Sequence, residues 1–143
     1  MPFKPLNTPI LSIYLSVSDP ERLADFYQKA FGFKLRQEPM KNEEGIIQHV
    51  EMSFYDALIM FASDKAWLNT GHSPKTSGTQ APVRFYLYCE NVDALYEKAM
   101  NHGAESQEAL QDAFWGDRFC KLRDIEGYEW CFATHLGEGV TKV

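Results

Sequence analysis

The sequence predicts an α+β fold built from two copies of one βαβββ module. Three observations carry that prediction. Several short runs alternate apolar and polar residues, as on strands with one oily face, and two others space apolar residues for a helix. The order strand, helix, strand, strand, strand occurs twice. The halves also share sequence: Tyr14-Leu15 corresponds to Tyr86-Leu87 at an offset of 72 residues (86 − 14), and Met60-Phe61-Ala62-Ser63 to Cys131-Phe132-Ala133-Thr134 at 71 (131 − 60). A near-constant offset marks a duplicated unit.

In the first half, Leu11, Ile13, Leu15 and Val17 alternate with Ser12, Tyr14 and Ser16, which predicts a strand over 10–17. Ser18 or Asp19 is placed to cap a helix, Pro20 suits its first turn, and Gly32 stops it after Leu23, Phe26, Tyr27, Ala30 and Phe31. A strand over 33–38, a polar turn over 39–45, a strand over 46–54, a tight turn at Tyr55-Asp56 and a strand over 57–62 follow. Residues 64–81 read as a long polar linker between a module over 8–63 and a second over 82–136, all within one domain of residues 1–143. The second half repeats the pattern: a strand over 83–89, a helix capped by Asn91 and ended by Gly103, then strands over 104–110, 118–122 and 128–134, with a turn at 124–127.

Composition narrows the function. The chain has 143 residues, 45% hydrophobic and 14% aromatic, enough for one packed core and too apolar for disorder. The net charge of −6 and the lack of any Lys/Arg block argue against a nucleic-acid footprint. No apolar run reaches membrane-spanning length, and the first residues lack a signal-peptide core, so no membrane partner is expected. Cys89, Cys120 and Cys131 form no CxxC pair and read as free thiols of a cytoplasmic protein.

The motif DFYQKAFGF at 25–33, preceded by Val17-Ser18-Asp19, resembles the vicinal-oxygen-chelate superfamily of glyoxalases, extradiol dioxygenases and bleomycin-resistance proteins. Asn91-Val92-Asp93-Ala94-Leu95-Tyr96 and His102-Gly103-Ala104 carry the likeness in the second half. FWGDRFCKLRD at 114–124 is similar to the glyoxalase-like, PhnB-like branch, with Ile125 where that family usually has proline. The resemblance covers about residues 8–136. It implies paired modules whose mixed sheets curl into an open cup, helices outside and the site within. It also implies a homodimer, which the open sheet edges favour independently.

Strand alternation sorts the faces. Ile13, Leu15, Val17, Val50, Met52, Ile59, Phe61, Trp130 and Phe132 are expected to face the helices. The alternate set is expected to face the cup: Ser12, Tyr14, His49, Glu51, Met60, Arg84, Tyr86, Tyr88, Glu129 and Cys131. The family's metal enzymes place ligands on the first and last strands of each module. Those positions here hold Ser12, Met60, Arg84 and Cys131, a poor set for a hard or borderline cation, so no metal and no cofactor are expected at the usual place. His49-x-Glu51 is the best remaining chemical pair: a general base, two ligands of an off-pattern divalent metal, or a half-solvated pair on a sheet. Arg84 beside Tyr86 and Tyr88 fits a planar or anionic ligand, or an ion pair with Glu51 or Glu129. Trp115-Gly116 and Arg118 read as a lip of the site, with Asp117 and Arg118 pairing locally and Trp130 in the core.

Two functions follow. One is a metal-independent protein that binds an aromatic or anionic small molecule, like the bleomycin-resistance branch. The other is a glyoxalase-like lyase or isomerase using His49 and Glu51. A regulatory or partner-binding module is a third, and a shared fold does not choose among them.

Overall fold

The structure is a computed structural model and describes residues 1–66 and 71–137. The chain divides into two compact units, Met1–Gln28 with Gly32–Ser73, and Lys29–Phe31 with Pro74–Val143. Each is an α+β unit built on one sheet.

In the first unit the sheet order is β1-β5-β4-β2, using β1 (Ile13–Val17), β2 (Lys34–Leu35), β4 (Ile47–Phe54) and β5 (Ala57–Ser63), while β3 (Met40–Lys41) also pairs with β4. In the second unit the order is β6-β9-β8-β7, using β6 (Arg84–Tyr88), β7 (Glu105–Asp112), β8 (Asp117–Arg123) and β9 (Glu129–His135). The first and last strands of each unit pair in parallel, Tyr14 opposite Met60 and Tyr86 opposite Cys131. The sequence repeat is therefore a repeat of topology.

The helices start alike. Asp19 caps α1 (Pro20–Phe26) by accepting from the Arg22 amide at 3.1 Å, and Asn91 caps α3 (Val92–Asn101) by accepting from the Ala94 amide at 3.1 Å. Both satisfy amides that the first turn leaves without a partner. The predicted first helix does not run through as α-helix: Tyr27–Phe31 widens into a π turn before Gly32. Phe31 lies in the second unit, where its ring meets Trp130 at 5.9 Å and Phe132 at 4.8 Å.

Other predicted bounds also shift. β1 begins at Ile13 rather than residue 10, leaving Ile10 and Leu11 exposed. The strand expected over 33–38 shrinks to two residues, and the turn expected over 39–45 contains β3. Pro39 separates the two, since it has no amide for a ladder. The linker carries a short helix, α2 (Pro74–Ser77). β8 begins one residue earlier than predicted, at Asp117.

Leu15, Val17, Met52, Ile59 and Phe61 are buried in the first unit, and Trp130 and Phe132 in the second, as the alternation predicts. The β8–β9 turn is organised by Asp124. Its carboxylate accepts from the Glu126 and Tyr128 amides at 2.9 and 3.0 Å and from the Trp130 indole at 2.9 Å. The Lys75 amide donates to the Glu126 carbonyl at 2.9 Å, tying α2 to the same turn. Gly127 has φ +94°, and a Cβ there would lie 2.9 Å from Pro74 Cβ and 3.0 Å from the Lys75 nitrogen. Gly127→Ala is expected to destabilise by roughly 1–3 kcal/mol through strain alone, with the close approach adding to it. Chemical denaturation that shows no loss would contradict this account of the turn.

Candidate functional site

In the first unit, Tyr14, Met60 and Glu51 are cross-strand neighbours, and His49 shares their face two residues from Glu51. The Tyr14 hydroxyl lies 3.0 Å from His49 Nδ1, and His49 Nε2 lies 2.7 Å from Glu51 Oε2. A carboxylate only accepts, so in the neutral ring Nε2 carries the proton and Nδ1 accepts from Tyr14. Arg36 approaches the other Glu51 oxygen at 3.4 Å. Burial, and then the Glu51 charge, raise the Tyr14 hydroxyl above its ordinary range, so it stays a donor. The unit thus brings four expected residues, Tyr14, His49, Glu51 and Met60, onto one face. Ser12 lies just before β1 and is half-buried.

In the second unit the polar face centres on Asp117, which is 1% exposed. Tyr86 and Tyr88 donate to its Oδ2 at 2.7 and 2.8 Å, and the Trp115 indole lies 3.2 Å from the same oxygen and 3.0 Å from the Tyr86 hydroxyl. His135, opposite Asp117 on β9, approaches Oδ1 at 2.9 Å through Nδ1, which must therefore carry the proton. Burial alone would raise the Asp117 carboxyl. Hydrogen bonds from Tyr86, His135 and Tyr88 outweigh it and hold the group below the usual carboxylate range. The tyrosines respond the other way: burial and then the bond to Asp117 push Tyr86 well up, and for Tyr88 the bond leads. Gly116, at φ +95°, makes the bend between Trp115 and Asp117.

Two expected pairings resolve differently. Asp117 and Arg118 do not pair. They are adjacent on β8 and point to opposite faces, and Arg118 binds Asp93 of α3 at 2.7 and 3.2 Å and Asp112 at 3.0 Å. Arg118 thus stands on the helix side, away from the face of Tyr86 and Cys131. Arg84 lies 3.5 Å from Glu129, its partner on β9. Glu129 is 2% exposed and also accepts from Gln80 and from Arg123 at 3.2 Å. Burial would raise it too, yet the bonds from Gln80 and Arg123 and the nearby Lys121 and Arg123 charges hold it low. Arg123 and Gln80 also line a cavity of about 430 Å³ with Pro74, Lys75, Glu105 and Gly127.

The family metal positions do not fit a cation here. Arg84 brings positive charge, and burial pushes the Cys131 thiol up, which keeps it protonated and a weak ligand. Among the described residues no three His, Cys, Asp or Glu side chains are grouped to hold a metal ion. The sequence reading missed Asp117 and His135. One followed from placing the strand start at residue 118, which left Asp117 in a loop. His135 falls one residue beyond the last predicted strand, over 128–134, and its side chain is 49% exposed.

Two βαβ-type units with parallel first and last strands, and a mixed aromatic and charged face on each sheet, define a glyoxalase-like α+β protein. The chain belongs to the Glyoxalase/Bleomycin resistance protein/Dioxygenase superfamily, whose family model matches residues 10–132. Uncharacterized proteins of Mycobacterium bovis and Mycobacterium tuberculosis are 34% identical over 137 residues, covering 94% of this chain and 86% and 77% of theirs. TioX from a Micromonospora species is similar in fold, with TM-score 0.67 and 24% identity, covering 88% of this chain and 99% of that one. TnmS3, an antibiotic binding protein from a Streptomyces species, gives TM-score 0.61 and 18% identity, covering 89% and 97%. A PhnB protein from Bacillus cereus, described as a putative 3-demethylubiquinone-9 3-methyltransferase, gives TM-score 0.63 and 15% identity, covering 88% and 99%.

The low carboxyls of Asp117 and Glu129 link stability to pH. Unfolded Asp and Glu titrate at about 3.9 and 4.3. Folded values below these make the stabilisation complete above that range and remove it as pH falls through the folded values. Melting temperature is therefore expected to drop steeply below about pH 4, and less steeply in Asp117→Asn. Equal acid sensitivity in both proteins would remove Asp117 from this role.

Proposed function

We propose that the protein is a metal-independent binding protein for a small aromatic molecule, held on the polar face of its second sheet. One observation carries the reading. Tyr86, Tyr88 and Trp115 are 41%, 56% and 41% exposed, yet all three are tied by polar atoms to the buried carboxylate of Asp117. Exposed rings fixed in this way offer stacking area without the entropy cost of ordering them on binding. The antibiotic-binding neighbour in the same fold supports it. An aromatic ligand fits this face better than an anionic one. The Arg84 charge already faces Glu129.

A planar neutral probe, 2-naphthol, is expected to bind the wild-type protein and to bind Trp115→Leu roughly tenfold more weakly. Equal affinity, measured by fluorescence titration, would sink the assignment. Elemental analysis is expected to find no stoichiometric nickel, zinc, iron or manganese. About one metal per chain, lost in His49→Ala, would favour the second reading below.

That second reading, a glyoxalase-like lyase or isomerase, is supported by the hydrogen-bonded Tyr14–His49–Glu51 chain at 3.0 and 2.7 Å, a geometry suited to a general base. Turnover abolished by His49→Gln, with the fold intact, is its test.

We also infer a homodimer in a reducing, cytoplasmic setting. Cys89, Cys120 and Cys131 are all free, which supports the compartment. The edge strand β7 is blunted by charge and by register shifts, whereas β6, the other edge of that sheet, is largely aromatic and apolar after Arg84 and pairs with β9 without a register shift. Light scattering at micromolar protein is expected to give twice the chain mass, and a monomer mass would exclude the dimer. No helix among the described residues is long and apolar enough to cross a membrane.

A further inference from the structure

We propose that the rings of Tyr86, Tyr88 and Trp115 around Asp117 form a site for an organic cation, a substituted ammonium group carried by the aromatic ligand. The proposal rests on the binding reading above and names the charge of what is bound.

The charges of this sheet face point one way. The registers of β6, β9, β8 and β7 place Glu105, Glu108, Asp117 and Glu129 on it, against Arg84, Lys121 and Arg123. Each of those three bases is already on a carboxylate: Arg84 on Glu129 at 3.5 Å, Lys121 on Glu108 at 3.3 Å, and Arg123 on Glu105 and Glu129 at 3.5 and 3.2 Å. Among the described residues the fourth carboxylate, Asp117, is paired with no Lys or Arg. Its partners are two phenols, an indole and the imidazole of His135. Its negative charge is therefore shared with aromatic rings rather than cancelled by a fixed cation.

Ring chemistry makes that arrangement selective. The face of a phenol or indole already attracts cations. A hydroxyl that donates to a carboxylate is polarised, which leaves its ring more electron-rich. Tyr86 and Tyr88 both do this, with ring centroids 5.6 Å apart and planes at 68°, so two ring surfaces at a wide angle are enriched together. Trp115 packs on Phe119 at 5.4 Å, which backs its ring against the sheet. Asp117 itself is buried, so a bulky ammonium meets the rings and feels the carboxylate through them. A compact, strongly hydrated cation gains little from such a surface. A poorly hydrated, alkylated ammonium gains most.

The test compares three probes of nearly one shape under one set of buffer conditions. They are phenyltrimethylammonium, its carbon isostere tert-butylbenzene, and benzenesulfonate, each titrated by nuclear magnetic resonance of the tyrosine and tryptophan ring signals. The cation is expected to bind roughly fivefold tighter than the neutral isostere, and the sulfonate most weakly. That preference is expected to vanish in Asp117→Asn. Should Asp117→Asn fail to fold, Tyr88→Leu, which removes an exposed ring, is expected to lower cation affinity more than neutral affinity. Equal binding of the cation and its isostere, or tighter binding of the sulfonate, would overturn the cation assignment and leave the aromatic reading standing. Failure of all three probes to bind would overturn both.

Discussion

Four carboxylates, Asp117, Asp124, Glu126 and Glu129, are buried within one β8–β9 hairpin, and satisfying them sets much of the second unit. An ionised carboxylate out of water is costly unless donors surround it. Each carboxylate therefore dictates what its neighbours do. Asp124 consumes two turn amides and the Trp130 indole, which fixes the hairpin turn and seats the largest core side chain. Glu129 gathers Gln80, Arg84 and Arg123, which fastens the segment before β6 to the end of the sheet. Asp117 gathers Tyr86, Tyr88, Trp115 and His135. No buried side-chain nitrogen or oxygen among the described residues is left without a partner.

The same constraint explains why aromatic side chains stay on an exposed sheet face. A tyrosine that bonds only water is free to turn its ring into the nearest apolar contact. Tyr86 and Tyr88 are instead held by a carboxylate that has few other sources of donors, so their rings remain outward at a fixed angle. Whatever weakens Asp117 as an acceptor therefore loosens the aromatic surface it organises.

Much of the fold was legible in the sequence because alternation and helical spacing report directly on burial. Leu15, Val17, Met52, Phe61, Trp130 and Phe132 fall on the buried side where the pattern puts them. The caps Asp19 and Asn91 were legible for the same reason, since both side chains sit three residues before an amide that needs an acceptor. The π turn at Tyr27–Phe31 was not, because its residues carry an ordinary helical spacing. Nor was the role of Asp117. An aspartate beside a glycine and an arginine looks like turn chemistry, and only the pairing of β8 with β9 shows that it faces Tyr86, Tyr88 and His135. Arg118, expected at the lip, points to the other face of the sheet from Asp117, because neighbouring residues of a strand alternate.

Comparing the two units position by position shows how a duplicated sheet acquires two chemistries. Tyr14 and Tyr86 occupy the same place, opposite Met60 and Cys131. Across the last strand, Glu51 stands opposite Met60 and Lys121 opposite Cys131, so His49 corresponds to Phe119, two residues before each. In the first unit the tyrosine therefore meets an imidazole and joins a chain that ends on Glu51. In the second, the corresponding position is apolar and offers no acceptor. The Tyr86 hydroxyl reaches instead to Asp117, which corresponds to the buried Ile47 of the first unit. Exchanging the acceptor from one strand position to another replaces a hydrogen-bonded Tyr-His-Glu chain with tyrosines gathered on a buried carboxylate. The backbone pairing that carries both is unchanged, so the difference lies in which side chain answers one tyrosine.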